Sequence, residues 1–242
     1  MHRLYLPGPL AGDAVALTPQ ALRHVRALRL RAGEALRVFD GTGGEWEARL
    51  GDGAAHVELL GFHAVERELG RVVELAVGMP ANERMDWLVE KASELGAAVI
   101  TPLMSARAVL RLQGERAERR GAHWRGVAIA ACEQCGRNRL PQLREVQALA
   151  PWLRGLPARA AAARCLLAAP AQGTAQPLAQ WAASLAPGQP ILALSGPEGG
   201  LDADEIAGAL DAGFVAVSLG PRVLRAETAP LALLAGLSAL SA

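Results

Sequence analysis

Cysteine is scarce in this chain, lysine nearly absent and aromatic residues few, and each shortage closes off a class of protein. The three cysteines, Cys132, Cys135 and Cys165, are too few for a disulfide framework. With no N-terminal apolar stretch behind a basic start either, the expectation is a cytoplasmic protein. Cys132 and Cys135 form a lone C-x-x-C, but a structural zinc site needs a second ligand pair. Only Cys165 remains, thirty residues on, and His123 falls outside any standard spacing, so no metal is expected. A thioredoxin-like pair opens a helix, whereas this one lies near the end of one. Its face is marked by Trp124, Val127, Ala128 and Ala131, and core packing is assigned to Cys135. No uninterrupted apolar segment approaches the ~20 residues of a membrane-spanning helix, which excludes a membrane partner at this level. Aromatic residues make up 4% of the chain and hydrophobic residues 51%, so the core must rest mainly on Ala, Leu and Val.

Two further absences bear on chemistry. The G-x-G-x-x-G fingerprint of dinucleotide-binding units does not follow any early strand, which leaves a nicotinamide reading without support. No histidine occurs after His123, so the commonest general base is missing from the C-terminal half. Bulk charge is equally uninformative: 24 arginines and Lys91 oppose 24 acids for a net +1, which names no partner. The local distribution says more. Nine arginines and three acids (Glu115, Glu118, Glu133) lie between Arg107 and Arg144, and four arginines without an acid lie between Arg23 and Arg31. Both are candidate phosphate-binding patches, with solvated helix faces as the plainer alternative.

What is present divides the chain in two. Residues 1–69 hold short apolar runs (4–6, 35–39, 46–50 and 55–60) separated by turn clusters, of which Asp40-Gly41-Thr42-Gly43-Gly44 is the clearest, and predict a small β-rich domain. A charged connector over 66–71 puts the boundary at Gly70. From 71 to 242 apolar strands alternate with helical segments, which predicts βαβ units and a parallel sheet, an α/β domain. Strands are expected at 72–77, 99–103, 165–168, 191–194 and 214–219. Asn82 is the expected N-cap of a helix ending at Gly96, and a long helix should run from about 115 to 135. Lys91 should pair with Glu90 and Glu94 along its own helix. Asp202 and Glu205 have capping-box spacing, Gly213 should stop that helix, and Thr228 with Pro230 should open the last one.

The richest signal is a pair of loops that each leave a buried strand: Ser195-Gly196-Pro197-Glu198-Gly199-Gly200, then Leu219-Gly220-Pro221-Arg222-Val223-Leu224-Arg225-Ala226-Glu227-Thr228. Strand ends are where open α/β sheets bind ligands, and glycine there lets bare backbone reach a small molecule. Together with Lys91-Ala92-Ser93-Glu94-Leu95-Gly96, Ile129-Ala130-Ala131-Cys132-Glu133-Gln134-Cys135-Gly136-Arg137-Asn138-Arg139 and His24-Val25-Arg26-Ala27-Leu28-Arg29, in this order and spacing, the loops make the chain resemble the RsmE-type methyltransferases over nearly its whole length.

The resemblance implies a trefoil-knotted SPOUT methyltransferase domain preceded by a PUA-like RNA-binding β-barrel domain. It implies S-adenosylmethionine as methyl donor, and methylation of N3 of a uridine, expected at position 1498, in 16S ribosomal RNA of the small ribosomal subunit. It also implies a homodimer formed through the knotted domain, for which the apolar last helix (Leu231, Leu233, Leu234, Leu237, Leu240) offers a surface unless it is core. Three strand-end loops, at 167–170, 194–200 and 218–228, would then surround the donor. Their cofactor-binding residues would be Leu167, Ala168, Leu194, Gly196, Glu198, Gly199, Gly200, Leu219, Gly220, Val223, Leu224, Arg225, Glu227, Thr228 and Ala229. The six acids and two arginines between Ser195 and Thr228 suit a cationic sulfonium.

Uridine N3 carries a proton, so the base must become anionic before it attacks, and the site must favour that anion. Arg225, Glu227 and Arg137 are the candidate catalytic residues, the arginines for negative charge on the uracil and Glu227, with Glu198, for the proton or for hydrogen bonds; helix capping or loop ion pairs are the alternatives. Arg3, Arg23, Arg26, Arg29, Arg107, Arg137, Asn138 and Arg139 are the candidate RNA-binding residues. A relative acting on a ribose oxygen or a guanine, and a non-catalytic ribosome-assembly factor, are the competing readings.

Overall fold

The computed structural model describes residues 1–81, 83–158, 161–168 and 175–240, with only the backbone of Ala168. Asn82, Ala169 and Pro170, all expected above to cap or line something, lie outside the described residues. The chain divides into two compact units, Met1–Glu68 with Ile129–Leu140 and Leu69–Ala128 with Pro141–Ala242.

The first unit contains β1 (His2–Tyr5), β2 (Ala14–Ala16), α1 (Pro19–Ala27), β3 (Ala35–Phe39), β4 (Glu45–Leu50) and β5 (His56–His63). They form one sheet in the order β1-β3-β4-β5-β2, antiparallel except for β1 beside β3, with a register shift at Glu47/Ala48. Alternation along the strands puts Leu4, Leu36, Val38, Ala48, Leu50 and Val57 into one core with Ala21 and Val25 of α1. Helix α1 is not among the elements expected from the sequence. Its start was nevertheless written there, because the Thr18 side chain accepts from the Ala21 amide at 3.2 Å and Pro19 occupies the first helical position.

Against the expected boundary near Gly70, the first compact unit ends at Glu68 and also takes in residues 129–140. The reason is a buried polar network. The Arg3 guanidinium pairs with Glu45 and donates to the Arg137 carbonyl (3.1 Å) and Asn138 Oδ1 (2.6 Å). The Tyr5 amide donates to Glu133 (2.9 Å), whose other oxygen lies 2.7 Å from His24 Nδ1. Asn138 donates to the Val65 carbonyl (2.7 Å), and Arg137 pairs with Glu68. Burial would raise Glu45, but hydrogen bonds from Arg67 and Arg3 outweigh it and hold the carboxyl below the usual range. For Glu133 burial wins, and the carboxyl is pushed up in spite of the Tyr5 amide and His24.

The second unit contains β6 (Val73–Gly78), α2 (Glu83–Glu94), β7 (Val99–Met104), α3 (Gly114–Cys135, which passes into the first unit at Ile129), β8 (Gln142–Leu143), β9 (Gln147–Ala148), α4 (Leu149–Arg154), β10 (Ala163–Ala168), β11 (Gln176–Pro177), α5 (Leu178–Ala183), β12 (Ile191–Ser195), α6 (Ala203–Asp211), β13 (Val215–Ser218) and α7 (Thr228–Leu240). The sheet is parallel throughout, in the order β11-β13-β10-β12-β6-β7-β8 with β9 also on β7. Both faces are covered, as a parallel sheet requires. Val73, Leu75, Val77, Ile191 and Ala193 turn toward α2, α5 and α7, while Ala76, Leu192, Leu194 and Leu166 turn toward α4 and α6. Leu231, Leu233, Leu234 and Leu237 of α7 are buried in the chain's own core, which leaves Leu240 as the one exposed leucine of the five. Cys132 is fully buried, while Cys135, to which core packing was assigned, is partly buried. Lys91 lies 2.7 Å from both Glu90 and Glu94. Among the described residues, no helix is long and apolar enough to cross a membrane, and no group of three or more His, Cys, Asp or Glu is placed to hold a metal ion.

Candidate functional site

The carboxyl ends of β10, β12 and β13 open into a cavity of about 400 Å³, within the range of small-molecule sites. Leu166 and Leu167 come from the end of β10, Ser195 from the end of β12, and residues 196–198, 200 and 201 from the first glycine loop. Leu219, residues 222–226 and Ala229 close the opposite side from the second loop and the head of α7. Backbone geometry explains the glycines. A Cβ on Gly196 would sit 3.0 Å from the Leu201 amide, and a Cβ on Gly78, at the end of β6, would sit 2.6 Å from the Pro197 ring. Gly200 follows a turn closed by its own amide to the Pro197 carbonyl (2.8 Å) and has φ +69, while Gly220 has φ +111.

The polar groups of the cavity are few and fixed. Glu198 Oε1 accepts from the Ala81 amide at 2.9 Å and from Arg84 Nη1 at 3.0 Å. Burial would raise this carboxyl, but those hydrogen bonds and the Arg84 charge hold it below the usual range. Arg84, in the first turn of α2, also reaches to 3.9 Å of Glu227 Oε1. Glu227 is 7% exposed at the head of α7, where a helix N-terminus favours an anion, and its Oε2 is buried without a hydrogen-bond partner. Ser195 Oγ is likewise buried without a partner on the cavity wall. An orphaned hydroxyl on the cavity wall, with an orphaned carboxylate oxygen on the residue that follows the lining Ala226, is the mark of a site completed by a ligand. Arg222 and Arg225 are exposed on the cavity rim, and no hydrogen bond or ion pair engages either side chain among the described residues.

Of the residues expected to hold a cofactor, Leu167, Gly196, Glu198, Gly200, Leu219, Val223, Leu224, Arg225 and Ala229 line the cavity. Leu194 does not, because it is fully buried on the sheet face covered by α4 and α6. Gly199 is held behind the loop: Arg107 Nη1 donates to its carbonyl at 3.1 Å, and a Cβ on Gly199 would lie 3.0 Å from Arg107 Cβ. Gly220, Glu227 and Thr228 stand outside the lining, with Gly220 and Thr228 shaping the loop through its turn and through the Thr228 amide on the Arg225 carbonyl (2.9 Å). For Ala168 only the strand position is described.

The candidate RNA-binding residues separate by burial. Arg137 and Asn138 are 3% and 0% exposed, and the Arg3 side chain 10%, all bound into the first unit's internal network. They are corrected to structural residues, because no phosphate or base reaches groups that are covered and already hydrogen-bonded. Covered and paired with Glu68, Arg137 is likewise no longer a candidate catalytic residue. Arg139 pairs with Glu66 at 2.9 Å, and Arg107 holds the glycine loop. Arg23, Arg26 and Arg29 are exposed, and none has an ion-pair partner among the described residues. Sequence reasoning missed Arg84, Gly78, Leu201 and Ile206 as site residues, and placed Ser195 and Arg222 in the expected loops without assigning them a role. For Gly78 the signal was a glycine ending an apolar run; for a single arginine in the first turn of a helix there was none.

A family model described as an RNA methyltransferase domain matches residues 67–238. A second, described as an RNA methyltransferase PUA domain, matches residues 17–60. The ribosomal RNA small subunit methyltransferase E of Synechocystis is 34% identical over 240 residues, spanning 97% of this chain and 76% of that protein. The protein of the same name from Bacillus subtilis is 33% identical over 175 residues, spanning 71% of this chain and 67% of that one. A solved structure of ribosomal RNA small subunit methyltransferase E from Neisseria gonorrhoeae, bound to S-adenosyl methionine, is similar with a TM-score of 0.89 at 36% identity, covering 99% of this chain and 98% of that one.

Proposed function

This chain belongs to the RNA methyltransferase domain family, and on that premise we propose that it methylates N3 of one uridine of 16S ribosomal RNA, expected at position 1498, using S-adenosylmethionine. The observation that carries the reading is the cavity at the carboxyl ends of β10, β12 and β13, with Ser195 Oγ left open on its wall, Glu227 Oε2 left open beside the lining residue Ala226, and Arg222 and Arg225 on its rim without partners among the described residues. The residues fit the donor. Leu166, Leu167, Leu219 and Leu224 offer apolar wall for an adenine ring, and the loop backbone around Gly196 and Gly200 is bare enough for close approach. When bound, S-adenosylmethionine supplies an electrophilic methyl group, and the electrons of its sulfur–carbon bond stay on sulfur.

The chain's own residues prepare the nucleophile. Glu227 accepts the N3–H hydrogen through its open Oε2, and Arg225 carries the negative charge that spreads over the uracil oxygens as the proton leaves and N3 attacks. The exposed arginines of α1 and its following turn, Arg23, Arg26 and Arg29, hold RNA phosphates in the first unit. We assign the working form to a cytoplasmic homodimer on the family resemblance.

Nucleoside mapping of 16S ribosomal RNA from a strain lacking the protein tests the reaction, with loss of a single N3-methyluridine expected and an unchanged RNA overturning it. Arg225→Ala tests the mechanism. The expected result is a drop of about a hundredfold in single-turnover rate with little change in donor affinity, since the interaction strengthens only as charge develops. Raising the pH should restore part of the rate, because hydroxide then supplies the uracil anion. Equal loss of rate and donor affinity would make Arg225 a donor-binding residue instead.

A further inference from the structure

Resting on that reading of the site, we infer that Arg84 is the positioning residue of the transfer step: it fixes Glu227 Oε1 so that Oε2 alone is presented to the N3–H of the target uracil. Arg84 lines the cavity yet belongs to neither glycine loop. One end of its fork is pinned by Glu198, whose Oε1 is held in turn by the Ala81 amide, so the guanidinium starts from a fixed point. Its Nε then lies 3.9 Å from Glu227 Oε1, and no other cation comes within ion-pair distance of that carboxylate among the described residues. Glu227 is more than nine-tenths buried, and a buried carboxylate needs a compensating charge. Arg84 provides it on one oxygen and leaves the other free.

The charge count makes the arrangement useful. Glu198, Arg84 and Glu227 together carry one net negative charge, which is attractive to a sulfonium and to a neutral N–H donor. Without Arg84, two carboxylates would face the base as it becomes anionic, and repulsion would oppose the step. The neutral alternative is a staple that merely ties the first turn of α2 to the glycine loop. A staple acts through Glu198 alone, and removing it would be independent of Glu227.

The test compares the full-length wild type with Arg84→Lys, Arg84→Gln, Glu227→Gln and the double variant Arg84→Gln/Glu227→Gln. Single-turnover methyl transfer to a 16S ribosomal RNA transcript and to small subunits is measured at saturating donor, with calorimetry of S-adenosylmethionine and thermal unfolding of each unliganded protein. Arg84→Gln is expected to transfer methyl about a hundredfold more slowly, the scale of a misplaced catalytic group, with little change in donor affinity. Arg84→Lys should recover most of the rate, and the double variant should be no slower than Glu227→Gln alone. In the unliganded proteins, the Tm losses of Arg84→Gln and Glu227→Gln should not add. A wild-type rate in Arg84→Gln, additive losses in the double variant, or a rate loss matched by lost donor affinity would each overturn the inference. A wild type that moves no methyl group to any uridine overturns the functional reading and this inference with it.

Discussion

Arg137 and Arg225 read alike in the sequence, each an arginine in a glycine-bearing segment expected to touch the substrate, and the structure gives them opposite surroundings. Arg225 stands exposed on a cavity rim without a partner among the described residues, whereas Arg137 is 3% exposed and paired with Glu68. The difference is tertiary. It depends on Glu68 and Val65 lying about seventy residues upstream of the 129–140 segment, and no local pattern records which acid a given arginine will meet. Glycine positions were more legible, since a chain that needs φ +111 at one point has few residues to choose from, and Gly220 stands there. Even so, the reason was partly misjudged for Gly199, whose missing side chain makes room for Arg107. The structural assignment of Arg137 has a direct consequence. Arg137→Ala removes one partner of a covered ion pair and should cost about 3 kcal/mol of stability, read by chemical denaturation. Donor affinity should stay at the wild-type level, because every residue lining the cavity belongs to the second unit. A variant as stable as wild type that no longer transfers methyl would return Arg137 to the reaction.

Elements were legible wherever a terminus carried its own chemistry. Asp202 and Glu205 form the reciprocal cap expected of them, with the Glu205 amide 2.8 Å from Asp202 Oδ1 and the Asp202 amide 3.0 Å from Glu205 Oε2. Gly213, at φ +81, then ends α6 before the next strand. Strands β6, β7, β10 and β12 match their apolar runs to within two residues, since a strand buried on both faces has to be written as a continuous apolar run. Helix α1 escaped because only Ala21 and Val25 on it are buried, too sparse a stripe to stand out beside the flanking β-like runs. The two-residue strands β8, β9 and β11 carry no periodicity at all. The cap on α6 matters to the site, because Glu205 Oε1 also accepts from the Ala106 amide at 2.6 Å, on the loop whose Arg107 grips the glycine loop. Asp202→Ala should therefore cost about 1 kcal/mol, seen as a lowered Tm, with Glu205→Ala costing more because it breaks both ties. Equal losses for the two variants would confine Glu205 to its cap.

At the scale of the whole molecule, the sequence predicted the α/β class, the parallel sheet and the early β-rich unit from alternation alone, but not that residues 129–140 leave the second unit for the first. Composition could not separate the charged regions either, since a net charge of +1 averages the acidic 195–228 segment with basic patches elsewhere. Burial separates them. In the first unit the acids Glu45, Glu66, Glu68 and Glu133 are committed to Arg3, Arg67, Arg139, Arg137 and His24, which leaves Arg23, Arg26 and Arg29 exposed and unpaired among the described residues. Cations that neutralise nothing within the protein are the ones able to release counterions from a nucleic acid. If all three touch phosphates, the triple variant Arg23→Ala/Arg26→Ala/Arg29→Ala should bind 16S ribosomal RNA more weakly at low salt. The slope of log affinity against log salt should flatten by about 0.7 to 0.9 for each phosphate no longer neutralised. Arg49→Ala, which removes an exposed arginine of the same unit from near the end of β4, serves as the charge control and should leave the slope almost unchanged if the RNA surface is confined to α1 and its following turn. Fluorescence anisotropy across a salt series decides between them: an equal change in slope per arginine in both variants would mean a diffuse attraction by net charge, and an unchanged slope in the triple variant would move the RNA surface away from α1.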